Sequence, residues 1–176
     1  MTLEDHLTAL NACPDARDWA RDYPTLRAAW DACERADWLF WYAAKRQVDC
    51  KLLVRAACAC ARTALPHVSP GEDRPLRAIE LAERWASGDP VVTLKELRTA
   101  ADAADAADTA YAADAAAYAA DAAAYAAYAA ADAADAADAA AYAAYAAADA
   151  DADARLHAHR TMCDIVRALI LCPEEP

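Results

Sequence analysis

The chain has 176 residues and a formal net charge of −12, and it holds only two glycines, Gly71 and Gly88. Turn glycines and β-branched runs, which strand-rich folds need, are scarce, while alanine, the strongest helix former, dominates, so the fold class expected is all-α. The longest uncharged runs of the alanine-rich stretch, 122–131 and 139–148, are ten residues each, against roughly 20 for a membrane-crossing helix, and an acidic surface repels nucleic acid and anionic lipid.

Thr2-Leu3-Glu4-Asp5 offers a cap and then first-turn acids, which predicts a short opening helix. Pro14 and Pro24 punctuate the next stretch. Thr25 then starts a strongly apolar helix carrying Leu26, Ala29, Trp30, Cys33, Asp37, Leu39, Phe40 and Trp41. A second helix is expected from about Asp49 to Leu65, with Leu52, Leu53, Ala56, Ala57, Cys60 and Ala64 at helical spacing along one face. After the loop 66–72, Asp73 is placed to cap a helix that tolerates Pro75 in its first turn and turns Leu76, Ile79, Ala82 and Trp85 inward. Ser87-Gly88-Asp89-Pro90 ends it.

Thr93-Leu94-Lys95-Glu96 reads as a capping box, in which Thr93 and Glu96 satisfy each other's free amides. No further proline or glycine occurs until Pro173. One straight helix over that span would be about 120 Å long at 1.5 Å per residue, so two or three helices are expected. The predicted organisation is an N-terminal helical domain over 1–92, an acidic alanine-rich tract over 93–154, and a C-terminal amphipathic helix over 155–176 that packs on the N-terminal domain.

Between residues 99 and 154 there are 37 alanines, eleven Asp, six Tyr and no Lys, Arg, His or Glu, while the rest of the chain carries eighteen acids and seventeen bases. The acidity therefore belongs to one segment. Its Asp and Tyr residues recur every three or four positions from Asp102 to Asp149, a heptad-like row in which the polar residues occupy the seam. Eleven carboxylates without local cations are costly to bury, so the row is expected to face water and the alanine faces to pack inward. Small side chains let helix axes approach to about 8 Å. Three readings of the row compete. It is a solvated face that keeps an alanine bundle soluble, a binding strip of tyrosine anchors and carboxylates, or the face of an ice-binding or filament-forming helix.

Catalytic patterns are scarce. Ser69 and Ser87 are the only serines and neither sits in a G-x-S-x-G elbow; no G-x-G-x-x-G or phosphate loop occurs. No enzymatic activity and no cofactor are expected. His157, His159 and Cys163, with Cys172 as a further ligand, form the best metal candidate, but paired positions of this kind are common in cysteine-rich helices, and no metal site is assigned. The seven cysteines are an odd number. Most fall in helical patterns, where a free thiol acts as a small apolar residue. With no basic-then-apolar leader at the N-terminus, a reducing cytoplasm is expected. His67, Glu72, Asp73, Arg74 and Arg77 form the densest charged cluster outside the tract. Asp73 is read there as a cap, and Arg74 or Arg77 as a partner of Glu80 or Glu72.

The run Cys60 to Val68, continued by Gly71-Glu72-Asp73-Arg74-Pro75, Ala78-Ile79-Glu80 and Glu83-Arg84-Trp85, resembles the immunity proteins of bacterial polymorphic toxin systems, the fifth catalogued family and its relatives. Ala29 to Cys33 with Asp37 to Trp41 is similar to the lead-in of that group, and Cys163 to Arg167 with Cys172-Pro173 is similar to its closing helix. Such proteins often carry variable alanine-rich tracts with tyrosine and acid. The resemblance implies an all-α protein that neutralises a toxin, with Asp73, Arg74, Arg77, Glu80 and Trp85 matching the family's pattern.

The leading expectation is a non-catalytic, immunity-type inhibitor of a protein partner, either a toxin or a basic DNA-binding protein, without direct contact to nucleic acid or membrane. The candidate partner-binding residues are Tyr111, Tyr118, Tyr125, Tyr128, Tyr142, Tyr145, Asp114, Asp121, Asp132, Asp135, Arg74 and Arg77. Two alternatives stand beside it: a nucleic-acid mimic that occupies the basic groove of a DNA-binding protein, and a structural, self-assembling homo-oligomer or ice-binding protein.

Overall fold

A computed structural model describes residues 2–106, 125, 129, 135–147 and 152–173, and among these the chain is all-α, with no strand. The helices are α1 (Leu3–Ala9), α2 (Pro14–Ala20), α3 (Leu26–Ala32), α4 (Ala36–Lys45), α5 (Cys50–Arg62), α6 (Arg74–Ala86), α7 (Leu94–Asp105), α8 (Asp135–Ala147) and α9 (Ala152–Leu169), with a 3-10 turn at Leu65–His67. The caps expected at Thr2 and Thr93 form. Thr2 and Asp5 make a reciprocal capping box at α1, and Thr93 and Glu96 make one at α7.

The apolar helix expected from Thr25 through Trp41 is two helices. Cys33 adopts extended geometry (φ −65°, ψ 128°) and closes α3, and α4 starts after Arg35. No proline or glycine marks this break. What stabilises it is Arg167 of α9, whose Nε donates to the Trp30 carbonyl at 3.1 Å and whose Nη2 donates to the carbonyls of Trp30, at 3.0 Å, and Cys33. Carbonyls released by the end of a helix need outside donors, and a guanidinium supplies several in one plane.

Three helices end on a residue in the left-handed region: Asn11 (φ 60°) after α1, Gln47 (φ 57°) after α4 and Gly88 (φ 87°) after α6. In each case the next amide reaches back into the last turn of the helix: Ala12 N to Leu7 O at 3.0 Å, Val48 N to Ala43 O at 3.1 Å, and Asp89 N to Arg84 O at 3.1 Å. These are Schellman closures. Asparagine and glycine tolerate that conformation, whereas Gln47 holds it against the steric cost of its Cβ.

The core is organised around α8. It packs against α4, α5 and α9, while α5 also packs on α6, and α6 on α7. Ala136, Ala139, Ala143 and Ala144 of α8 are fully buried. The bulk comes from its neighbours, through Phe40 of α4, Leu53 and Val54 of α5, and Met162 and Val166 of α9, all fully buried. An alanine surface presents little more than backbone and methyl groups, so helices can close on it at the short end of the usual spacing. Because α8 and α9 lie against one another, the run after Thr93 is not one straight helix. Away from this centre, His6 of α1 and Tyr42 of α4 share a buried 3.0 Å hydrogen bond, and Trp19 of α2 lies against Trp38 of α4 with ring centroids 5.7 Å apart.

This packing is open to two stability measurements. Ala139→Leu forces a larger side chain into a closed helix contact and is expected to cost about 1–3 kcal/mol in urea unfolding; a change below about 0.5 kcal/mol would mean that α8 is not tightly enclosed. Gln47→Gly removes the left-handed penalty and is expected to raise stability by about 0.5–1 kcal/mol in the same assay.

Candidate interaction surface

The face of α8 opposite its buried alanines carries the Asp/Tyr row. Asp135 is the first residue of the helix, Asp138 and Tyr145 are exposed, and Tyr142 is half-buried. The outward direction expected of the row holds at Asp138 and Tyr145. Tyr142 departs from it, because its ring stacks on half-buried Tyr125, with centroids 4.9 Å apart and planes 11° from parallel. Tyr145 lies 6.4 Å from Tyr142 at a 59° tilt. The three rings form a continuous aromatic patch, and offset or tilted pairs of this kind add to burial about 0.5–1.5 kcal/mol each. Nearby, the Cys50 thiol lies 3.3 Å from the carbonyl of buried Ala129. Tyr111, Asp114, Tyr118, Asp121, Tyr128 and Asp132 lie outside the described residues.

Beyond Asp138 the surface continues onto α4. Arg35 grips Asp37 through Nε at 2.9 Å and Nη2 at 2.6 Å, and its guanidinium lies 4.9 Å from the centre of the Trp38 ring. Asp37, Trp38, Trp41 and Asp138 border one recess of about 310 Å³, with Arg35, Cys13 and Ala16 completing it. Water reaches Asp138, yet partial burial, and then the negative charge of Asp37, push its carboxyl above the ordinary aspartate range.

Arg74 and Arg77 are brought together elsewhere. Both line a groove of about 590 Å³ between α6 and α7, with Lys95, Thr93, Thr99 and Glu96 along it. Each arginine is already engaged, Arg74 by Glu72 and Arg77 by Asp73. The groove's lining includes none of the Tyr/Asp row. Of the two acids expected as partners, Glu72 is the actual one; Glu80 pairs with neither arginine among the described residues. The cap also differs from expectation. Asp73 has αR geometry (φ −108°, ψ −5°) and makes no capping hydrogen bond, since a capping residue needs extended backbone and its carboxylate is drawn to Arg77 one turn on. Glu72 takes the role instead, accepting the Arg74 amide at 3.0 Å and its Nε at 2.8 Å. These bonds from Arg74, first through its side chain and then through its amide, hold the Glu72 carboxyl at about 2. His67 is exposed and makes no ion pair among the described residues.

Cys33, Cys58, Cys60 and Cys163 are buried and free. Burial pushes the thiols of Cys33 and Cys163 up to about 11 and about 12 and raises those of Cys58 and Cys60 as well. Such groups stay protonated and are poor nucleophiles. His159, four residues before Cys163 in α9, is buried and His157 is exposed. Among the described residues no three His, Cys, Asp or Glu side chains are placed to hold a metal ion, and no helix is long and apolar enough to cross a membrane.

The sequence places Asp37 and Trp41 on an apolar helix and Asp138 in the Asp/Tyr row, at a break in its alternation, without bringing them together. The spacing Arg35-x-Asp37-Trp38 carries a local signal, since it sets a guanidinium, a carboxylate and an indole within one turn. The meeting with Asp138, far along the chain, has none. No family model matches the chain, and no curated protein or solved structure is significantly similar to it.

The Glu72 brace generates a pH test. Its folded value lies near 2 against an ordinary 4.5, so its stabilisation is complete above the unfolded value and is lost as pH falls from about 4.5 toward 2. Glu72→Gln is expected to lower stability by about 1 kcal/mol at pH 7, the scale of a lost cap. That difference from wild type should shrink steadily below pH 4.5 in urea titrations. A difference that stays constant down to pH 3 would exclude the brace.

Proposed function

We propose that this protein is a non-catalytic, immunity-type inhibitor that binds a basic protein partner through the Tyr/Asp row. The observation that carries the reading is the division of labour on α8. Ala136, Ala139, Ala143 and Ala144 are fully buried, while Asp138 and Tyr145 on the other side remain exposed beside the stacked Tyr142. Rigid aromatic rings combined with charge are the composition of interface anchors. The net charge of −12 favours a cationic partner and speeds its encounter. The likeness of the 60–85 run and the closing helix to bacterial immunity proteins supports the inhibitory role. Arg74 and Arg77 form a second candidate contact, although their pairing with Glu72 and Asp73 leaves less of their charge free for a partner.

Affinity capture with the tagged full-length protein from its native lysate, with and without nuclease, and then binding measurements on the purified partner, test this. One stoichiometric basic protein is expected, whose affinity falls at least tenfold on Asp132→Lys with Asp135→Lys or on Tyr145→Ala. Recovery of self-copies alone, or affinity untouched by those changes and by Arg77→Glu, would overturn the reading. Displacement of the partner by duplex DNA would identify the inhibitor as a nucleic-acid mimic.

A further inference from the structure

The recess between α2, α4 and α8 has an unbalanced charge. It contains two carboxylates, Asp37 and Asp138, and one guanidinium, Arg35. Arg35 spends both Nε and Nη2 on Asp37. Among the described residues, Asp138 has no cationic partner. The walls beside these charges are the half-buried indoles of Trp38 and Trp41, and Trp38 already receives one guanidinium over its ring at 4.9 Å. A recess of about 310 Å³ sits at the lower end of ligand pockets, suited to one long side chain.

Each feature selects the same occupant. An anion would meet Asp138 at short range. A metal ion would find too few ligands, since hard cations take six or more oxygens. An arginine can place its planar fork on the Asp138 carboxylate and its face against an indole. Partial burial, and then the charge of Asp37, push the Asp138 carboxyl upward, and a bound cation would pull it back down.

We infer that the recess bounded by Asp37, Asp138, Trp38 and Trp41 receives an arginine side chain of the protein partner. This assignment rests on the proposed binding function and names its anchor. The arginine enters beside Arg35 without displacing it, so the Arg35–Asp37 pair serves as a fixed rim. Discrimination against acidic or neutral side chains comes from the free carboxylate of Asp138.

The test uses the full chain with ¹⁵N-labelled tryptophan and no partner. N-acetyl-arginine amide is titrated while the indole N–H signals are monitored, with N-acetyl-citrulline amide as the neutral isostere and N-acetyl-glutamate amide as the anion. Saturable shifts centred on Trp38 and Trp41 are expected with the arginine probe alone. Asp138→Asn should weaken them at least tenfold, while Asp22→Asn, an exposed acid elsewhere, leaves them unchanged. Absence of saturation, equal shifts with citrulline or glutamate probes, or indifference to Asp138→Asn would overturn the assignment. With the captured partner, Asp138→Asn should reduce affinity at least tenfold. A partner that binds the variant as well as wild type, while still losing affinity on Tyr145→Ala, would reject the recess as anchor and leave the wider binding surface standing.

Discussion

Close approach of helices around α8 is the constraint on which the rest of this structure depends. Three helices, α4, α5 and α9, contact that one segment, and its inward side offers Ala136, Ala139, Ala143 and Ala144. Each methyl contributes little by itself, about 0.8 kcal/mol per carbon buried. The gain comes from what alanine permits: larger side chains on the surrounding helices bury against backbone as well as methyl groups. Alanine also gives up no side-chain rotamer freedom on burial and has the highest intrinsic helix propensity. A low-complexity segment can therefore occupy the centre of a specific fold, provided its neighbours carry the shape. Phe40, Leu53, Val54, Met162 and Val166 do so here.

The same composition determines where charge goes. With alanines committed to the inside, the Asp/Tyr row is left to the opposite side, and its average spacing of three or four keeps it there along a helix. The row is nevertheless not uniform. Tyr142 is drawn toward Tyr125 and half-buried, whereas Asp138 and Tyr145 stay in reach of solvent. Tyrosine can make that compromise because its ring is apolar and its hydroxyl is not. Aspartate cannot, and where Asp138 is partly covered its carboxyl is raised.

Features whose partners are close in sequence were legible, and those whose partners are distant were not. The cap at Thr2, the box at Thr93 and the helix end at Gly88 each depend on residues within one turn. The end of α4 uses the same closure, but Gln47 is a residue that rarely adopts left-handed backbone, so its pattern carries no warning. The gap between α3 and α4 is silent for a stronger reason. The group that donates to its freed carbonyls is Arg167, 134 and 137 positions later. Helical periodicity sees apolar residues continuing through Cys33 to Trp41 and reads one helix. At Glu72 and Asp73 two adjacent acids were each able to cap, and backbone geometry, which no residue count supplies, decided between them. The row's outward direction was readable from the cost of burying carboxylates, yet the recess was not, because it joins α4 to α8 across more than half of the chain.

The unbalanced charge of that recess originates in the tract's own alphabet. Residues 99–154 contain no lysine, arginine or histidine, so any carboxylate of α8 that meets another acid must find its cation on a different helix. The helix Asp138 meets is α4, and the cation there is Arg35. Its paired bonds to Asp37, two residues on, form locally, and no ion pair joins it to Asp138 among the described residues. Moving Arg35 across would only transfer the deficit to Asp37. A positive group supplied by a partner would balance the charge at this junction. The indoles of Trp38 and Trp41 make a planar guanidinium a better match for that role than a hydrated ion, because only the guanidinium gains from aromatic faces as well as from charge.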